Sequence, residues 1–202
     1  MAIDEAQPRY ACWVFDLDGT LTLHQHDFDA IRADLGIPPG RLILEYLDTL
    51  PPAAAAPLRE RLAALEAELC AHARAAPGAH ALLERLAACS CQRGILTRST
   101  RANALATLAA AGLDGFFVPA DVLGRDDVAP KPAADGILTL LGRWGGARAD
   151  AIMVGDFRLD LEAGRNAGVA TAHVSGDRRQ QWPDLTDYRC DTLAELHVLL
   201  DA

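Results

Sequence analysis

Two carboxylates one residue apart, Asp16 and Asp18, end the apolar run Cys12-Trp-Val-Phe, and Gly19 and Thr20 follow them. A buried strand ending this way delivers its acids to its C-terminal edge, where open α/β sheets bind ligands. A carboxylate there can attack as a nucleophile and form an acyl phosphate, dividing one hard displacement into two easier ones. A second carboxylate beside it can move the proton. Gly19 frees the backbone to turn, so the amides that follow Asp16, at Leu17 and Asp18, can face an anion. An Asp-rich turn after a strand is also common without any chemistry, and the pair alone leaves both readings open.

Three other stretches hold what such a pair would need. Gly94-Ile-Leu-Thr-Arg-Ser-Thr100 puts hydroxyls where a strand gives way to a helix, so Thr97 or Ser99 either caps that helix or joins its free amides in holding a phosphate. Lys131, in Ala129-Pro-Lys-Pro132, is the one lysine of the chain among 19 basic residues. Its compact ammonium can sit between Asp16 and a phosphoryl oxygen, holding the acid ionised and offsetting transition-state charge. In Val154-Gly-Asp-Phe-Arg-Leu-Asp160, the macrodipole of the following helix accounts for an acid at Asp160 but not for Asp156. Asp16, Asp156 and Asp160 form an oxygen-rich set suited to Mg²⁺. His24 and His26 could line an entrance, and Arg158 and Glu162 decorate the helix surface.

The elements that position these residues alternate. The sequence predicts strands at 12–15, 94–96, 116–118, 151–154 and 169–174, with helices at 79–88, 100–111, 134–141 and after Asp156 to Ala167. Strands alternating with helices imply a doubly wound parallel sheet. Between residues 24 and 76 no strand pattern occurs. Helices are expected at 28–35, at 41–50 with Pro51-Pro52 as the stop, and from Pro57 to about Ala76, so this stretch reads as a small all-helical insertion ending at Pro77-Gly78.

The 202 residues are half hydrophobic, enough for one domain with an insertion. With 28 acidic residues against 19 basic, net charge −9, nucleic acid and anionic membrane are poor partners. The N-terminal segment lacks the apolar core of a secretory signal and no stretch is long enough to span a bilayer, so a cytoplasmic protein is expected. Five cysteines, an odd number, suit reduced core thiols better than a disulfide framework.

Asp16-Leu-Asp-Gly-Thr-Leu-Thr22 resembles the first motif of the haloacid dehalogenase superfamily of phosphatases, and the stretches around Thr97, Lys131 and Asp156 resemble its other three; Gly164 and Gly168 match the fourth as well. The likeness points to the phosphoglycolate phosphatase-like branch with a reduced helical cap. It implies an α/β Rossmann-like core over residues 1–22 and 79–202, a cap over 23–78, and Mg²⁺-dependent hydrolysis of a small phosphorylated metabolite. In that scheme Asp16 attacks phosphorus and Asp18 acts as acid and then base. Thr97, Arg98, Lys131 and the Leu17 and Asp18 amides hold the phosphoryl group. Asp16, the Asp18 carbonyl and Asp156 bind Mg²⁺, with Asp160 behind them. Arg98 departs from the pattern, since many members carry Asn there. A dehalogenase would lack the second Asp, and a phosphonate hydrolase would need a cap lysine. A phosphomutase of the same superfamily and a catalytically silent binding or scaffold protein remain alternatives, and neither substrate nor oligomeric state is legible.

Overall fold

A computed structural model describes residues 8–23 and 28–200. Six parallel strands form one sheet: β1 (Cys12–Phe15), β2 (Gln92–Leu96), β3 (Val122–Leu123), β4 (Ala151–Gly155), β5 (Ala170–Val174) and β6 (Tyr188–Cys190). Their order is β3-β2-β1-β4-β5-β6, so the chain winds outward from β1 in one direction, then returns to start again at β4. The crevice between β1 and β4 is the point where a doubly wound sheet binds ligands. Residues one step beyond Phe15 and Val154 face each other there, because those two are register partners.

The strands are apolar on both faces because helices cover both. Trp13 and Phe15 pack with Leu82, Leu83 and Leu86 of α4 (Ala79–Ala88), Leu108 of α5 (Arg101–Ala110) and Leu196 of α8 (Leu193–Leu200). Cys12 and Val14 point the other way, into α6 (Asp135–Trp144) and α7 (Arg158–Ala167). Trp13 and Phe15 are fully enclosed, each contributing on the order of 2–3 kcal/mol by burial.

Between β1 and α4 the chain forms α1 (Phe28–Asp34), α2 (Ile43–Asp48) and α3 (Pro52–Cys70), whose apolar residues Ile31, Leu35, Ile37, Leu47 and Leu62 make a separate cluster. The connections into and out of this segment run antiparallel: Leu23 N donates to Arg74 O at 2.9 Å and Ala76 N to Leu21 O at 2.8 Å, flanking a Thr22–Ala75 bridge.

Several expected boundaries are corrected. Residues 116–118 are not a strand. Asp114–Phe116 is a 3₁₀ turn, Phe117 drops edge-on against Phe15, and Val118 is exposed, with the third strand at Val122–Leu123 instead. Aromatic residues filling the core from a loop gave the run its strand-like composition. α3 begins at Pro52, since proline is tolerated in a first helical turn, contains Pro57, and ends at Cys70 rather than near Ala76. Thr100, not Thr97 or Ser99, caps α5, accepting the Asn103 amide at 3.2 Å. β6, three residues long, carries too little pattern to be read from the sequence, whereas α8 has a start signal that the expectations above leave out, Thr192-Leu-Ala-Glu195, with Glu195 N donating to Thr192 Oγ1 at 3.2 Å.

Candidate active site

Four strand ends supply the site. Asp16 leaves β1 with its amide on Val154 O at 2.8 Å, and the next turn winds around one carbonyl, with Leu21 N and Thr22 N both donating to Leu17 O at 3.0 Å. Gly19 has φ of 95°, a backbone that only glycine adopts without strain. The turn brings Thr20 back: its buried Oγ1 lies 3.2 Å from Asp156 Oδ1 and 3.5 Å from Asp16 Oδ2, so its one proton can serve either acid. Thr97, at the end of β2, is buried with Oγ1 accepting the Ser99 amide at 3.1 Å.

Lys131 is buried, its ammonium bonded to Asp16 Oδ1 and 2.7 Å from Asp160 Oδ1. Asp160, in the first turn of α7, uses Oδ2 to accept the Phe157 amide at 3.0 Å, which caps the helix. It fits only because residue 155 is glycine; a Cβ there would stand 2.3 Å from Asp160 Cβ. His173 on β5 bonds the Asp156 carbonyl through Nε2 at 3.1 Å. Since a carbonyl only accepts, the proton sits on Nε2, and Nδ1 is buried without a partner. Burial, with the nearby charge of Arg189, lowers the pKa of this imidazole and so favours its neutral form.

Burial pushes the Asp16 carboxyl well above the usual carboxylate range against the pull of Lys131, and it raises Asp160 likewise. For Lys131, burial works toward neutrality, but the two carboxylates outweigh it and hold the ammonium protonated. Oxygens of Asp16, Asp156 and Asp160 lie within 4.8 Å of one another. Three acids face one ammonium, so ionising all of them would leave an excess of two negative charges in a mostly buried cluster. That imbalance, with hard oxygen donors, fits a divalent cation such as Mg²⁺.

A cavity of about 770 Å³ opens from these groups toward the helical segment, lined there by Leu23, Ile31, Leu42 and Ile43. Asp18, half-buried, faces the same cavity. Arg98 spans its wall, donating from Nη1 to Lys131 O at 3.3 Å and from Nη2 to Glu45 Oε1 of α2 at 2.6 Å. Behind it, Arg125 grips the buried Glu66 of α3 with both Nη atoms, at 2.7 and 2.9 Å, and Asn103 adds a bond to the same carboxylate at 3.2 Å.

The structure thus gathers Asp16, Asp18, Thr97, Arg98, Lys131, Asp156 and Asp160 around one cavity. His24 and His26 lie outside the described residues. Arg158 and Glu162 form a surface pair at 2.7 Å. Sequence reasoning assigned nothing to Thr20, although it stands four residues after Asp16. It also passed over Glu45, Glu66, Arg125 and His173, which are ordinary in sequence and meet the site only through the fold.

Among described residues no helix is long and apolar enough to cross a membrane. Comparison with known proteins agrees with the fold. The sequence pattern of the haloacid dehalogenase-like hydrolases matches residues 29–174, starting after the Asp16–Asp18 pair. An uncharacterized hydrolase of Saccharomyces cerevisiae is 28% identical over 203 residues, covering 93% of this chain and 89% of the yeast protein. A pyrophosphatase of Bacillus velezensis is 38% identical over 94 residues, 46% of this chain and 43% of its own. A crystal structure described as a predicted phosphoglycolate phosphatase from Haemophilus somnus superposes with a TM-score of 0.76 at 19% identity, covering 95% of this chain and 98% of its own.

Proposed function

Because the chain belongs to the haloacid dehalogenase-like hydrolase family, we propose that it is a Mg²⁺-dependent phosphatase acting on a small phosphate monoester through an aspartyl-phosphate on Asp16. The observation that carries the reading is the ion pair of the buried Lys131 with Asp16 at the β1–β4 crevice, with Asp156 and Asp160 within reach. The pyrophosphatase likeness of part of the chain supports phosphoryl chemistry over carbon–halogen cleavage.

Lys131 pulls Asp16 toward its ionised form against the burial that raises its pKa, and with two of its three N–H groups on Asp16 and Asp160 it has a third for a phosphoryl oxygen. Thr97 and the amides after Asp16 hold the remaining oxygens, with Arg98 at the edge of the pocket. An Asp16 oxygen attacks phosphorus as the bond to the leaving oxygen breaks, and Asp18 gives that oxygen its proton. Asp18, now a carboxylate, takes a proton from water, whose oxygen attacks the same phosphorus. The Asp16–phosphorus bond breaks, releasing phosphate and restoring both acids. Asp16, the Asp18 carbonyl and Asp156 would hold Mg²⁺, with Asp160 supporting them from behind. When bound, the ion neutralises charge on the phosphoryl group, the main requirement of this chemistry.

The helices over residues 28–70 act as a cap, residues 23–78, that bounds the cavity and selects the leaving group. The five unpaired cysteines suit a reducing, cytoplasmic setting. Phosphate release from 4-nitrophenyl phosphate, with Mg²⁺ and with chelator, tests the reading. Turnover should require the metal and disappear in Asp16→Asn. A folded, Mg²⁺-supplied protein inactive on this ester and on a panel of phosphorylated metabolites would reject it.

A further inference from the structure

We propose that Arg98 is a positioning residue that makes the placement of Lys131 depend on the seating of α2, an inference that rests on the phosphatase reading above. Its guanidinium joins two parts of the molecule that otherwise meet across the cavity: Nη1 holds the Lys131 carbonyl and Nη2 holds Glu45. A planar fork can serve two acceptors in fixed directions at once, which a lysine ammonium on a flexible stem does far less well.

The surroundings divide Arg98 into a fixed part and a releasable part. Its own carbonyl accepts Arg125 Nη1 at 3.2 Å, and Arg125 is locked to Glu66, whose side chain is only 11% exposed. Removing one member of such an enclosed pair leaves an unmatched buried charge, so this anchor stays closed. Glu45, by contrast, has a side chain 47% exposed. Solvent screens that pair, and it can break and reform at little cost. The backbone of residue 98 therefore keeps Thr97 in place while the side-chain head follows α2. With Glu45 engaged, the head is aimed at the Lys131 carbonyl; when α2 lifts, it loses its outer partner and the loop of Lys131 loosens beside Asp16.

The test uses the full chain as Glu45→Ala, Arg98→Lys and the double variant, with circular dichroism confirming folding; alanine on an exposed helical surface keeps α2 helical. Two quantities are read: kcat and KM on 4-nitrophenyl phosphate with Mg²⁺, and hydrogen exchange of the peptide spanning residues 126–135. Glu45→Ala should lower kcat about 10-fold, modest for a misplaced group, with KM changed less than about twofold. It should also speed exchange around Lys131. In the Arg98→Lys background, adding Glu45→Ala should change neither quantity, because the connection is already cut. Independent, additive losses, or a Glu45→Ala protein unchanged in both kcat and exchange at 126–135, would overturn the proposal. If the parent chain hydrolyses no phosphate ester, the phosphatase reading falls, while the exchange experiment still decides whether Arg98 transmits the state of α2.

Discussion

Lys131 Nζ stands 2.7 Å from one oxygen of Asp160, and the other oxygen of Asp160 accepts the Phe157 amide at 3.0 Å. Both sides of this carboxylate are already occupied by the protein. Asp156 is less buried and lies nearer to solvent in the same cluster. The two acids that flank the β4–α7 turn therefore differ in kind, one buried and tied to the scaffold through both oxygens, the other half-buried, lining the cavity and accepting from Thr20 at 3.2 Å.

Asp160→Ala should lower unfolding free energy by about 3 kcal/mol, because it strips a buried ammonium of one of its two partners. Asp156→Ala should cost about 1 kcal/mol or less but weaken Mg²⁺ binding much more. Urea unfolding with and without Mg²⁺ separates the two, and equal behaviour of the variants would show that their roles are shared.

Asp18 should matter in proportion to the leaving group's need for a proton. Asp18→Asn is expected to reduce kcat by about 10²-fold on an alkyl phosphate and clearly less on 4-nitrophenyl phosphate. Equal losses on both esters would place Asp18 in structure or metal binding alone.

Gly155→Ala introduces a methyl 2.3 Å from Asp160 Cβ, inside a fully buried strand. Relief requires Asp160 to move off Lys131 or the strand to shift, an overpacking cost of about 1–3 kcal/mol. Thermal unfolding should show the loss, together with reduced turnover. A neutral result would mean that the turn after β4 is softer than its packing suggests.

Away from the site, Asp187 ties the turn before β6 to two other elements, bonding both Arg165 Nη atoms at 2.9 and 2.8 Å and the Thr171 amide at 2.9 Å. Burial works to raise its pKa, but these bonds prevail and lower it. The stabilisation is present above the ordinary carboxylate value and is lost as pH falls through the depressed one. Asp187→Asn should cost about 1 kcal/mol near neutrality, a figure kept small by solvent screening, and flatten part of the acid limb. An unchanged acid limb in urea titrations would contradict this.

Most of the sheet and the gathering of acids at its edge are legible in the sequence because their signals are local. An apolar run ending in Asp16 marks a buried strand and its ligand-facing end in the same few residues, and Lys131 stands out in a chain otherwise basic only through arginine. β3 was misplaced because pairing with β2 needs only Val122 and Leu123, while the more strand-like Phe116-Phe117-Val118 serves the core from a turn. The ties from Arg98 to Glu45 and from Arg125 to Glu66 have no local signature at all. Their partners lie 53 and 59 residues apart, and either glutamate could as well have faced solvent.

The paired connections at Leu21–Leu23 and Arg74–Ala76 carry a consequence for how such a chain can change. Its two ends being hydrogen-bonded neighbours, the intervening segment behaves as a cassette: the join that β1 and α4 experience is the same whatever length lies between. Insertions or replacements between these ends leave the β1–β2 register undisturbed while reshaping the wall that a ligand meets. Selection for what enters the cavity can then proceed largely on one stretch of sequence, so long as Glu45 and Glu66 keep their ties to Arg98 and Arg125.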